Sequence, residues 1–260
     1  MHRMRGKIRD RNGLISSFPR IFALGARLAD LLVFPSACRR CGVLLERPGE
    51  RVLCAECLSA LAPCRAPYCP SCGRFFDGDG APHRCAACLR QAPPFSAHRS
   101  AARYDGAVKE ALLLFKYRGL RPLGRPLAAF LQAAIGDDDP PWREADLFVP
   151  VPLHRCRRRE RGFNQAAVLA AELSRLIGVP AVSDALRKTV NVRPQTSVRS
   201  AERRTNIRGA YRAVRPEAVK GKRVVLVDDV FTTGSTLSEC AGVLKRAGAA
   251  DIRGVTVARA

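Results

Sequence analysis

Apolar positions beyond residue 95 alternate between two periods. His98 to Tyr104 reads as a strand. Asp105 then stands where an N-cap belongs, ahead of Val108, Leu112, Leu113 and Phe115 at helical spacing, and that run ends near Gly119. Leu123 to Ile135 predicts a second helix and Leu147 to Val151 a buried strand. Gly162-Phe163-Asn164-Gln165 opens a helix with Ala166, Ala167, Ala170, Leu173 and Ile177 on its buried face. Val179 to Leu186, Ala210 to Val214, Val224 to Val227 and Ile252 to Val257 read as further strands, with Leu237, Cys240, Ala241 and Leu244 marking a helix between the last two. Strands alternating with helices make an α/β fold, a parallel sheet with helices on both faces.

The chain before residue 95 is patterned differently. Residues 1–17 form a basic, disordered leader. Residues 18–36 predict a helix, with Ile21, Phe22, Leu24, Leu28, Leu31 and Leu32 on one side and Pro35 as its stop. Arg20 and Arg27 on its polar face suit a membrane surface, whereas Asp30 suits docking on the rest of the protein. No run of 18 uncharged apolar residues occurs, so no transmembrane segment is expected. The basic start lacks a clean apolar core and cleavage site, which points to a cytoplasmic protein.

Residues 37–92 contain an internal repeat. Cys38, Cys41, Cys54 and Cys57 have the spacing Cys-x-x-Cys, twelve residues, Cys-x-x-Cys; Cys69, Cys72, Cys85 and Cys88 repeat it at an offset of 31 residues. Gly42 and Gly73 follow the second cysteine of each set, where the backbone of a zinc knuckle must turn tightly. Two closed tetrathiolate sites for structural zinc follow, a double zinc ribbon with almost no core of its own. Ligation in sequence is favoured by the repeat, and an interleaved arrangement is left open. Cys64 reads as a small buried residue, and His83 is not required as a ligand.

Charge adds a partner class. The chain has 260 residues, with 45 Lys and Arg against 23 Asp and Glu, a formal net charge of +22. Two zinc ions on eight thiolates lower this to about +18. Such a balance draws polyanions, although the arginine preference of a high-GC genome produces the same excess.

The chemistry concentrates in Val224 to Leu237. A β-branched run ends in Asp228 and Asp229, then Thr232, Thr233, Gly234, Ser235 and Thr236 offer successive N–H groups and four hydroxyls ahead of a helix. The loop and helix start suit a phosphate, and the two carboxylates suit the hydroxyls of a ribose. This stretch closely resembles the diphosphoribosyl-binding signature of type I phosphoribosyltransferases. With Phe115 to Gly119, Val149 to Pro152, Arg161 to Gln165, Arg187 to Thr189, Pro194-Gln195 and Arg203 with Asn206, the chain resembles the ComF family.

The resemblance implies a type I phosphoribosyltransferase-like domain over residues 95–260. It implies binding of phosphoribosyl diphosphate or a nucleotide, with the 5-phosphate on Thr232 to Thr236, the hydroxyls on Asp228 and Asp229, and magnesium bridging to the diphosphate. Arg158, Arg161, Arg187, Lys188 and Arg203 are the implied contacts to diphosphate or nucleic acid, and Arg187 to Asn206 the implied lid. His154 is a candidate base by position only, so the catalytic group is not identified. The resemblance also implies service in DNA uptake during natural competence, with single-stranded DNA and the competence machinery as partners. Two readings follow: a phosphoribosyltransferase, or a non-catalytic single-stranded-DNA-binding protein with a ligand-sensing phosphoribosyl pocket.

Overall fold

The computed structural model describes residues 37–45, 52–65, 67–136, 141–190 and 209–260. The leader, the helix expected over 18–36, Arg203 and most of the segment expected as a lid lie outside the described residues. Two compact units divide the chain, Met1–Cys54 and Ala55–Ala260.

In the first unit, Cys38 N–H donates to Val43 O at 2.7 Å and Gly42 N–H to Cys38 O at 2.9 Å, with Gly42 at φ 80°. The same knuckle recurs in the second unit, where Cys69 N–H donates to Arg74 O and Gly73 N–H to Cys69 O, both at 2.8 Å, with Gly73 at φ 67°. The repeat in the sequence is therefore a repeat in hydrogen bonding.

The second unit begins with two short helices, α1 (Ala55–Ser59) and α2 (Ala86–Arg90), then β1 (Ala97–Arg103), α3 (Gly106–Tyr117) and, after a 3₁₀ turn, α4 (Gly124–Ile135). Next come β2 (Leu147–Pro150), α5 (Arg155–Arg161), α6 (Gln165–Ile177), β3 (Leu186–Lys188), β4 (Tyr211–Ala213) and α7 (Pro216–Val219). The chain closes with β5 (Arg223–Phe231), α8 (Ser235–Arg246) and β6 (Asp251–Arg259).

The main sheet has the order β1-β6-β5-β2, parallel throughout. Val224 and Leu226 of β5 share a core with Leu237, Cys240, Ala241 and Leu244 of α8. Val225 and Val227 point to the opposite face by strand alternation and are equally buried. On that face α4 and α6 pack against each other, and α6 against β2 and β5. Burial on both faces explains why these strands read as continuous apolar runs.

Two expectations are corrected. Val179 to Leu186 is not a sheet strand: Ala181 makes an isolated parallel bridge to Phe148, a turn follows at Ser183-Asp184, and Leu186 begins β3. β3 and β4 pair antiparallel with each other, in register from Leu186–Ala213 to Lys188–Tyr211, as a separate two-stranded sheet. Such a short ribbon, with its exposed arginines Arg187 and Arg212, has no apolar outer face to bury in the main sheet.

Candidate functional site

β5 outlasts its neighbour. β2 ends at Pro150, opposite Val227, and Val151 N–H makes one further bond to Val227 O. From Asp228 onward β5 pairs only with β6, Asp228 standing opposite Thr256 and Phe231 opposite Arg259. Both carboxylates thus lie at the carboxyl edge of the sheet where one flank is open, the usual ligand-binding edge of an α/β sheet.

The two acids differ. Asp229 is 7% exposed and its Oδ2 lies 3.1 Å from Lys116 Nζ, at the last turn of α3. Asp228 is partly buried, and its Oδ1 accepts the N–H of Asp229 at 2.9 Å. Burial, and next the charge of Asp229, push the Asp228 carboxyl up to about 7, against the pull of that N–H, Lys116 and Lys188. Lys188 is the one predicted cation that β3 brings close enough to act on Asp228. Burial holds its ammonium below the usual lysine range, while Cys240 and Asp228 oppose the shift. Its Nζ also lies 5.3 Å from the ring centroid of Tyr211.

After Phe231 the loop turns at Gly234, in the left-handed region at φ 76°, and α8 starts at once. Thr233 Oγ1 and Ser235 Oγ are 2.8 Å apart, and Ser235 N–H donates to Thr233 Oγ1 at 3.4 Å. A Cβ at Gly234 would fall onto the Phe231 ring, so glycine is required both for the turn and for the close approach. Burial holds the Tyr211 hydroxyl of β4 above the usual phenol range, and Thr236 acts against that shift. A small pocket of about 30 Å³ is bounded by Asp228, Thr232, Gly234, Thr236 and Thr256. A cleft of about 470 Å³ is lined by Thr233, Gly234 and Ser235 of the loop and by Cys72, Arg74 and Cys88 of the second ribbon.

The remaining predicted cations sit further out. Arg158 is exposed on α5 and Arg187 exposed on β3. Arg161 donates to Gln165 Oε1 at 3.2 Å and lies over the Tyr117 ring. His154, the candidate base by position, is buried and caps α5: its Nδ1 accepts Cys156 N–H at 3.4 Å, a structural task. The sequence pattern assigns no site role to Tyr211, Arg259 or Lys116, although Lys116 lies in the Phe115 to Gly119 stretch that carries the resemblance. The signal available for Lys116 was one charge set between Phe115 and Tyr117 at a helix end.

The cysteines group in sequence, not interleaved. Cys38, Cys41, Cys54 and Cys57 form one set, Cys69, Cys72, Cys85 and Cys88 the other, with all sulfurs of a set within 4.8 Å. Cys41 and Cys54 sulfurs are 3.7 Å apart and Cys72 and Cys85 sulfurs 3.8 Å, the edge of a tetrahedron with Zn–S bonds of about 2.3 Å. Burial alone would raise the Cys69 thiol, but N–H groups of Cys85, Cys72 and Ser71 converge on it and bring it down to about 7. The donor sets therefore fit structural zinc, with no open ligand position. The four second-set cysteines are the ribbon's own core, joined by Phe76. His83 stacks on Phe76 at 4.1 Å instead of ligating, and Cys64 N–H donates to Ala101 O.

Two family models match: the double zinc ribbon domain over residues 29–89 and the phosphoribosyl transferase domain over residues 162–260. The chain is 30% identical over 211 residues to competence protein F of Haemophilus influenzae, covering 80% of this chain and 90% of that protein. The chain belongs to the ComF family. This ComF-family chain is also 30% identical over 225 residues to the DNA utilization protein YhgH of Escherichia coli O157:H7, covering 86% of this chain and 96% of that one. Among solved structures it is similar to the glutamine phosphoribosylpyrophosphate amidotransferase of Bacillus subtilis complexed with ADP and GMP, at 25% identity and a TM-score of 0.33, over 54% of this chain and 26% of that one. Among the described residues no helix of this ComF-family protein is long and apolar enough to cross a membrane.

Proposed function

We propose that the phosphoribosyltransferase-type domain binds phosphoribosyl diphosphate or a nucleotide through its ribose 5-phosphate, together with magnesium, and that the protein serves DNA uptake or utilization. One observation carries the reading: Asp228 and Asp229 stand where β5 outruns β2, and a glycine-centred hydroxyl loop at the start of a twelve-residue helix follows directly. Thr232 to Thr236 offer N–H groups and hydroxyls to the phosphate. Asp228 and Asp229 accept from the ribose diol, and their hard oxygen donors fit magnesium held together with ligand phosphates. Magnesium would neutralise charge on the diphosphate. Lys116 releases Asp229 as the diol or cation arrives, and its ammonium is then free to meet the diphosphate. Lys188 supplies a second cation beside Asp228. The names of the relatives, competence protein F and DNA utilization protein, support the biological setting.

The reading is tested by thermal unfolding with ribose, ribose 5-phosphate, thymidine 5′-monophosphate and phosphoribosyl diphosphate, each with and without magnesium. A ligand at a hundred times its Kd adds about 2.7 kcal/mol. Stabilisation that requires the 5-phosphate is expected. Equal effects from ribose and ribose 5-phosphate would contradict it.

A second reading, single-stranded DNA binding, is favoured by α5, which exposes Arg155, Arg158 and Arg159 on a seven-residue helix. Binding of a thymidine oligonucleotide is then expected to weaken with salt, with a log–log slope of about −0.7 per phosphate contacted. A flat salt dependence contradicts it.

A further inference from the structure

The phosphate loop rests on the second zinc ribbon through three side chains. The carbonyl oxygen of Cys72, a ligand in the second cysteine set, is held twice: Arg259 Nη1 donates to it at 2.6 Å, and His98 Nδ1 lies at 3.0 Å. Both side chains also reach Phe231. The Arg259 guanidinium is 4.3 Å from the Phe231 ring centroid, and the His98 ring centroid is 4.3 Å from it. Phe231 in turn occupies the space in which a Cβ of Gly234 would stand. The knuckle is pressed just as closely on β1, since a Cβ at Gly73 would come within 2.7 Å of His98 O.

The electrostatics point the same way. Four thiolates around a zinc ion carry a formal charge of about −2. Arg259 Nη2 lies 3.9 Å from Cys72 Sγ and is the cation that the described structure sets against this site. The part-buried guanidinium gains from such a partner. Without zinc the four sulfurs lose the ion that draws them together, and the Cys72 carbonyl that both side chains grip loses its fixed place. The aromatic ring below Gly234 is then free to shift.

We infer that zinc in the second ribbon positions the phosphate loop, with Arg259 and His98 carrying the knuckle's geometry through Phe231 to Gly234. The second ribbon is thereby part of the ligand site's support, and loop order depends on the metal state of that ribbon. The inference rests on the phosphoribosyl reading only for the identity of what the loop binds. Arg259, His98 and Phe231 are positioning residues.

The test is hydrogen exchange at the amides of residues 233–236 in the full chain, measured alongside zinc content and the heat of binding phosphoribosyl diphosphate with magnesium. Cys88→Ser removes a ligand of the second ion, Cys38→Ser one of the first. Arg259→Met removes the clamp while leaving all eight cysteines, and covers the case in which Cys88→Ser does not fold. Loop amides are expected to exchange about tenfold faster in Cys88→Ser and Arg259→Met, with two zinc ions retained in Arg259→Met and partial recovery in Arg259→Lys. Cys38→Ser is expected to match wild type at these amides. Wild-type exchange at the loop in Arg259→Met would overturn the inference. Exchange that changes as expected in a protein giving no heat with phosphoribosyl diphosphate would reject the phosphoribosyl reading and leave the positioning role standing.

Discussion

Lys116 Nζ lies 3.1 Å from Asp229 Oδ2, with the two side chains only 14% and 10% exposed. An ammonium from the end of α3 thus occupies the acid that the sequence marks for a ribose or a metal ion. Breaking a buried pair by removing one partner leaves the other charge uncompensated. Lys116→Met is expected to destabilise the ligand-free protein by about 3 kcal/mol, and magnesium is expected to recover part of that loss. Thermal unfolding with and without magnesium measures both. A variant as stable as wild type would show that the pair is not formed in solution.

The acid pair also predicts a pH dependence. In the folded chain Asp228 is pushed up to about 7, against an ordinary value of 3.8. Between these limits the unfolded chain is ionised while the folded chain keeps its proton, so the unfolded state binds fewer protons. The Asp228 contribution to stability is therefore fully present below about 4, declines as pH rises, and levels off above about 7. Asp228→Asn is expected to remove that decline. Denaturant unfolding from pH 4.5 to 8 reads the difference between the two proteins, and parallel profiles would contradict the assignment.

Gly234 is held at φ 76° against the Phe231 ring. Gly234→Ala is expected to cost about 1–3 kcal/mol and to abolish binding at the loop, because the backbone must leave the left-handed region or push the ring aside. Zinc content is expected to stay at two per chain. Calorimetry and metal analysis of one preparation check both, and a variant that binds phosphoribosyl diphosphate like wild type would contradict the loop's role.

The ribbons are predicted to depend on metal for their fold. Among the described residues the second ribbon's hydrophobic core is Cys69, Cys72, Cys85 and Cys88 with Phe76 packed on them, too small to fold without metal. Treatment with a strong chelator is expected to release two zinc ions per chain and to open residues 69–88 to protease while β5 and α8 stay protected. A ribbon equally resistant with and without metal would contradict a structural zinc.

Much of this is legible in the amino-acid sequence. β5 and α8 announce themselves because burial on both sheet faces forces a continuous apolar run, and because Leu237, Cys240, Ala241 and Leu244 all face the core. The cysteine repeat survives as a repeat of hydrogen bonds. Other features left no local trace. α5 has no buried residue and hence no apolar period, and it is marked only by His154 at its N-cap and Gly162 in the left-handed region at its end. The sequence pattern stops β5 at Val227 because two carboxylates interrupt the apolar run, while the pairing with β6 that keeps them extended is a tertiary fact. Lys116, more than a hundred residues before Asp229, and Arg259, distant from Cys72, are brought to their partners by the tertiary fold.

Asp228, Asp229 and the Thr232–Thr236 loop are proposed to hold a phosphoribosyl group. Titration calorimetry with phosphoribosyl diphosphate and magnesium, on wild type and on the Asp228→Ala, Asp229→Ala double variant, tests it most directly. Saturable heat from wild type, lost in the double variant with two zinc ions retained, is the predicted result. Absence of heat in wild type, or equal affinity in both proteins, would contradict the account.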